Sequence, residues 1–259
     1  MTHWNKIGLL LLILNLSCTK KPDPNERTAP PTFTIYTIGD STMAEKLNPE
    51  QNPERGWVQM LPLFLNQPLS IENHAVNGRS TKSFIAEGRW DSIYKRLQQD
   101  DLVFIQFGHN DQKEQDPKRY TNPHTTYRQN LIKFVTEARE KGAVPVLFSS
   151  IARRNFNEAG TLIDTHGAYP QEVRMVAEQF YVPFIDLQLL TEQLEVSYGE
   201  EGSKVLHLHY KPGELAYYPE GKEDNTHLSV KGAKEVAKLA ASSLKLKVTS
   251  LAPFIQIKN

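Results

Sequence analysis

The sequence predicts an α/β fold: a mainly parallel five-stranded sheet with helices on both faces. Three observations lead there. β-rich runs alternate with helix-patterned stretches along residues 33–246, the order that builds strand–helix–strand units. Residues 102–107, Leu-Val-Phe-Ile-Gln-Phe, form an apolar run of the kind a strand shows when both its faces are buried. Polar, glycine-containing clusters follow three of the strand candidates directly, and in open sheets of this type sites lie beyond the C-terminal strand ends.

Residues 33–38 read as the first strand, stopped by Gly39. Residues 56–65 put Trp57, Val58, Met60, Leu61, Phe64 and Leu65 on one helix. Residues 69–76 read as the second strand. Residues 84–97 show helical spacing at Ile85, Trp90, Ile93, Tyr94 and Leu97. After the third strand, residues 123–141 predict a long helix with Gly142 as its stop. Residues 144–148 and 182–187 are the remaining strands, with a helix over 170–180 between them. Residues 230–246 form a closing amphipathic helix rich in Ala and Lys.

The start of the chain reads as an address. Lys6 precedes the apolar run 7–14, followed by Asn15-Leu16-Ser17-Cys18. This is the pattern of a secretory signal over residues 1–17. The run is shorter than the ~20 apolar residues a membrane span needs. Its position beside the sole cysteine resembles a bacterial lipoprotein cleavage site. Cys18 is then the lipidated first residue of an exported cell-envelope protein, anchored to the membrane. An ordinary signal peptide with an incidental cysteine is the alternative. Residues 18–32, with four prolines and no large apolar residue, read as an extended tether. The folded domain then occupies residues 33–259.

Composition narrows the function classes. Lys plus Arg and Asp plus Glu are 30 each, so the basic excess of a nucleic-acid binder is missing. A single cysteine excludes a disulfide framework and cysteine-rich metal sites.

Four polar clusters carry the candidate chemistry. In Gly39-Asp40-Ser41-Thr42-Met43, a serine just past a strand presents its hydroxyl at the sheet edge; an Asp or Ser helix cap is the plainer reading. In Asn77-Gly78-Arg79-Ser80, glycine lets a backbone N–H approach a ligand closely, or simply makes a turn. In Gly108-His109-Asn110-Asp111, the Asn110 amide is a candidate oxyanion donor. In Asp224-Asn225-Thr226-His227, an Asp and a His three apart in a turn can lie side by side. Asp224 then fixes the imidazole tautomer, and His227 takes a proton from Ser41.

The order Ser41, Gly78, Asn110, Asp224-x-x-His227 resembles the SGNH (GDSL-like) hydrolase superfamily. Gly56-Trp57, Glu87-Gly88-Arg89-Trp90 and Ala152-Arg153-Arg154-Asn155-Phe156 narrow the resemblance to the rhamnogalacturonan acetylesterase family. It covers residues 33–246. No Gly-x-Ser-x-Gly is present around Ser41, so the α/β-hydrolase elbow is the poorer match. The resemblance implies a three-layer α/β/α sandwich of flavodoxin-like type, hydrolysis of acetyl esters on pectic polysaccharide, and neither metal nor organic cofactor.

The chemistry expected is acyl transfer through Ser41. His227 is the base, Asp224 orients it, and the Ser41 and Gly78 N–H groups with the Asn110 side chain hold the oxyanion. His227 must be neutral, so activity is expected to fall on acidification. Arg79, Lys82, Arg89 and Arg153 are candidates to pair with galacturonate carboxylates, or to form ion pairs with Glu45, Glu72, Glu87 or Asp91. Trp57 and Trp90 are candidates to stack on sugars, with core packing as the alternative. His207-Leu208-His209 has metal-like spacing but no third ligand, and Asp100-Asp101 does not suit a glycosidase pair. The rival functions are an acetylxylan or other carbohydrate or lipid esterase of the same fold, and a non-catalytic glycan-binding lipoprotein.

Overall fold

A computed structural model describes Met1 and residues 33–257. The expected signal over 1–17, the Cys18 anchor and the tether over 18–32 lie outside the described residues.

The strands are β1 (Thr34–Gly39), β2 (Ser70–Asn73), β3 (Leu102–Gln106), β4 (Val144–Phe148) and β5 (Phe184–Ile185). They form one parallel sheet in the order β2-β1-β3-β4-β5. Register pairs Ile35 with both Ile71 and Leu102, and Gly39 with Gln106. Successive side chains on a strand point to opposite faces, and β3 shows it. Leu102 and Phe104 enter one core with Ile35, Val146 and Phe148, whereas Val103 and Ile105 enter another with Tyr36, Ile38 and Leu147. Both faces are therefore apolar, and helices cover both.

On the first face lie α1 (Trp57–Met60) and the closing helix (Val230–Lys247), which contributes Ala233, Val236, Ala237, Ala240, Ala241 and Leu244. On the second lie α2 (Thr81–Ala86), α3 (Arg89–Tyr94), α4 (Arg128–Glu140) and α5 (Tyr169–Gln179). The expected three-layer α/β/α architecture is the one observed.

Several boundaries differ from expectation, each for a local reason. The helix expected over 56–65 is α1 followed by a 3₁₀ turn, Leu61–Phe64, because Pro62 has no N–H to continue an α-helix. The helix expected over 84–97 starts earlier and is two helices. Ser80 caps α2 by accepting from the Ser83 N–H, and the chain breaks at Gly88, where φ is 68°. The helix expected over 123–141 opens with a π-helical turn, Pro123–Tyr127, before α4 begins. The second strand stops at Asn73, although the Val76 N–H still bonds the Gly39 carbonyl (3.0 Å) and carries the chain toward the site.

Two elements are unforeseen. One is α6 (Leu187–Ser203), capped by Asp186 and interrupted at Gly199. The other is an antiparallel pair, β6 (His207–Tyr210) and β7 (Lys222–Leu228). The four residues Asp224-Asn225-Thr226-His227 thus lie on a strand and not in a plain turn. Their register is broken: Leu208 pairs with Asp224 while the adjacent His207 pairs with Leu228. The three intervening residues of β7 bulge out. Ser229 then caps the last helix, now α7, by accepting from the Gly232 N–H (3.1 Å).

Trp57 and Trp90 are both 0% exposed, so neither offers a ring face to a sugar. Trp57 packs on Phe148 and donates its indole N–H to Gln106; Trp90 packs on Phe134 and donates to Glu137.

Gly232 is a close-approach glycine. A Cβ there would sit 1.9 Å from the Leu206 carbonyl oxygen, which also accepts the Ser229 N–H. Gly232→Ala must push α7 away from Leu206, the residue just before β6, and is expected to cost about 3 kcal/mol. Urea denaturation of the pair measures it; equal midpoints would show that α7 does not need this approach.

Candidate active site

The C-terminal ends of β1 and β3 lie side by side, and the chain leaves them in different directions, toward β2 from one and β4 from the other. Such a divergence opens a crevice. Asp40 to Ala44 follow β1 as a tight turn, with the Met43 and Ala44 N–H groups on the Asp40 carbonyl. The Asp40 carboxylate accepts from the Thr42 N–H (3.0 Å) and hydroxyl (2.9 Å). Beneath it, Gln106 accepts from the Trp57 indole (2.6 Å) and donates to the Thr42 hydroxyl (2.7 Å). This buried relay fixes the turn from below, so the side chain left facing outward is Ser41.

His227 stands on the β7 bulge. Its Nε2 lies 2.9 Å from Ser41 Oγ, and its Nδ1 lies 2.8 Å from Asp224 Oδ2. The other oxygen of Asp224 accepts the Thr226 and His227 backbone N–H groups, both at 2.9 Å. Asp224 therefore shapes the bulge and orients the ring at once. Burial raises the Asp224 pKa, but bonds from the His227 ring and backbone and from Thr226, with the attraction of His227, outweigh it. The net shift is strongly downward. An anionic Asp224 takes the Nδ1–H and leaves Nε2 free to accept the Ser41 proton.

Gly78 and Asn110 line the same cleft, of ≈ 550 Å³. Gly78 has φ 77°, a conformation that a side chain would strain. Among the described residues, neither the Ser41 nor the Gly78 backbone N–H finds an acceptor. One N–H of the Asn110 amide bonds the Arg79 carbonyl (3.2 Å), and a primary amide has a second to give. Asn110→Ala is expected to lower kcat by ~10²–10³ with the fold intact. Near wild-type turnover by a folded variant would take Asn110 out of the site.

The substrate candidates separate. Arg153 lines the cleft. Arg79 and Arg89 instead share Glu87 on the surface (3.1 and 2.5 Å), and Lys82 bonds the Pro117 carbonyl (2.7 Å). None of these three lines the cleft. The neighbouring Arg154 is buried and donates to the Asn225 side chain (3.2 Å); its backbone N–H also bonds the Asn225 carbonyl (2.9 Å), pinning the bulge that carries His227.

Sequence reading missed Lys46. Its buried ammonium donates to the Ser41 carbonyl and to Asn77 Oδ1, both at 2.7 Å, and pairs with Glu54 at 2.7 Å. It ties the serine turn to the Gly78 turn, bridging segments 31 residues apart in a way that no local pattern announces. Lys113, Tyr218 and Lys222 were also missed as cleft residues; Lys113, three positions after Asn110, and Lys222, two before Asp224, sit close to recognised blocks, whereas Tyr218 does not.

His109 and His166 pack together at a tilt, ring centroids 4.7 Å apart. Burial drives both pKa values well down, and raises that of Asp40 beside them. His207 is taken by Glu195 (2.7 Å) and His209 by Asn225 (2.7 Å), which leaves the pair no common ligand.

Comparison with known proteins places the chain among esterase-like sequences. The chain is 43% identical over 210 residues to rhamnogalacturonan acetylesterase RhgT of Bacillus subtilis, covering 81% of this chain and 88% of that one. It is 36% identical over 211 residues to the probable rhamnogalacturonan acetylesterase YesY of the same organism, covering 82% and 92%. Among solved structures, protein YxiM of Bacillus subtilis superposes with a TM-score of 0.69 at 25% identity, covering 87% of this chain; the chain spans 59% of YxiM. The model of the GDSL-like lipase/acylhydrolase family matches residues 37–234, and with that match the chain belongs to this family.

Proposed function

We propose that the protein is a serine esterase that removes acetyl groups from rhamnogalacturonan. The observation that carries this reading is the unbroken contact chain Asp224–His227–Ser41, opening into a cleft beside Gly78 and Asn110. The substrate class follows the two similar acetylesterases. The lining agrees with a small acyl group on a sugar: among the described residues it holds no aliphatic side chain, and a long acyl chain would need an apolar trough.

In the proposed reaction, Ser41 Oγ attacks the acetyl carbonyl as His227 Nε2 takes its proton. The resulting oxyanion is held by the Ser41 and Gly78 N–H groups and the Asn110 amide. Collapse breaks the bond to the sugar oxygen, which receives the proton from His227. Water, deprotonated by the same nitrogen, then attacks the acetyl-serine and releases acetate. Export through residues 1–17 and anchoring at Cys18 belong to this proposal as well.

The test is acetate release from acetylated rhamnogalacturonan beside acetylated xylan, with Ser41→Ala as control. Ser41-dependent release mainly from the pectic substrate is the expected result. Release mainly from xylan would keep the mechanism and reject the substrate.

A further inference from the structure

We propose that Lys113 and Arg153 form a carboxylate-binding subsite of the Ser41 cleft, holding the acid group of a galacturonate residue beside the ester being cleaved. The inference rests on the esterase reading above and specifies what the substrate must carry besides acetyl.

The cleft's charges lead to it. Its lining holds three cations, Lys113, Arg153 and Lys222, and two carboxylates, Glu54 and Asp224. Both carboxylates are engaged. Glu54 pairs with Lys46 (2.7 Å); Asp224 holds His227 and has Lys222 at 3.6 Å. Lys113 and Arg153 are left with no carboxylate within 4.0 Å among the described residues. The nearby Arg119 is already matched by Asp116 (2.9 Å).

Arg153 is half-buried and is held by neutral acceptors, the Thr165 hydroxyl (3.1 Å) and the His109 carbonyl (3.4 Å). These fix the guanidinium without neutralising it. Asp40 and Asp164 act on Arg153 only from beyond ion-pair distance. Burial lowers the Lys113 pKa, and Arg119 and Arg153 lower it further. Two partly desolvated cations that line one cleft and repel each other favour an anionic ligand there.

Their position suits the reaction. The Lys113 N–H bonds the Asn110 carbonyl (3.3 Å), and Arg153 reaches the carbonyl of His109, the residue before Asn110. Both residues thus adjoin the Asn110 segment and line the same cleft as Asn110. A substrate carboxylate there would repel the developing oxyanion if left unpaired; Lys113 and Arg153 cancel that repulsion. Lys113→Arg preserves the charge, so it separates electrostatic recognition from packing.

The experiment follows hydrolysis of a neutral acetyl ester by the whole protein, with oligogalacturonate and its methyl ester as inhibitors. The free acid is expected to inhibit at least about tenfold more tightly than the methyl ester, the yield of one charge-assisted contact. Lys113→Gln and Arg153→Gln should each narrow that gap, and Lys113→Arg should keep it. Equal inhibition by acid and ester, or a gap unchanged in both glutamine variants, would overturn the subsite. Acetate release from acetylated rhamnogalacturonan is measured in parallel. Acid selectivity without such release would reject the substrate reading and keep the subsite; release without acid selectivity would reject the subsite alone.

Discussion

Ser41→Ala is expected to lower acetate release by at least about 10⁴-fold and to fold like the parent protein. The size follows from the contact at 2.9 Å between Ser41 Oγ and His227 Nε2. Removing the hydroxyl removes the atom that becomes acylated, and leaves only binding and the oxyanion donors to act on water. The fold should be indifferent, because the turn is held by Asp40, Thr42 and Gln106 and not by the Ser41 side chain. Initial rates together with far-ultraviolet circular dichroism measure both halves. A folded variant within tenfold of wild type would place the nucleophile elsewhere.

Asp224→Asn is expected to cost about 10⁴-fold in kcat, the scale seen when the third member of a Ser-His-Asp triad becomes an amide. The asparagine oxygen can still accept the Thr226 and His227 backbone N–H groups, so the bulge should survive. Its NH₂ then faces His227 Nδ1, which must turn acceptor. The proton moves to Nε2, and the imidazole no longer accepts from Ser41. A second effect concerns stability. The Asp224 pKa lies below its ordinary value of about 4, through its bonds to His227 and Thr226 against the cost of burial. A depressed carboxyl stabilises the fold above its unfolded-state pKa, and that contribution is lost as pH falls through the folded-state value. Wild type should therefore lose melting temperature on acidification below about pH 4 more steeply than Asp224→Asn. Parallel acid limbs in a thermal melt series would show that Asp224 gains nothing on folding.

What could be read along the chain was whatever repeats locally or has one strong partner type. The run 102–107 reads as a strand buried on both faces, and residues 102–106 of it are β3. Gly39-Asp40-Ser41 and Gly108-His109-Asn110 stood out because glycine and short polar residues mark the ends of strands. Departures arose where a single backbone feature overrode the pattern, as at Pro62 and Gly88. α6 carries Leu187, Leu190 and Leu194 at helical spacing, a signal present but diluted by its polar neighbours.

By itself, the sequence determined the layer architecture and a set of candidate reactive residues. Both depend on side-chain type and on spacings of a few residues, which hydrophobic burial and turn chemistry translate directly into local structure. Only the tertiary structure decided which charges are free. Arg79 and Arg153 look alike in sequence, yet one is spent on Glu87 and the other faces the cleft. It also decided that Trp57 and Trp90 are core, that Lys46 braces the serine turn, and that a broken register in β7 swings His227 onto Ser41 across 186 residues. The reason is physical: a charge, an indole or a bulge acquires its role from groups distant in sequence, and Coulomb attraction and packing act through space.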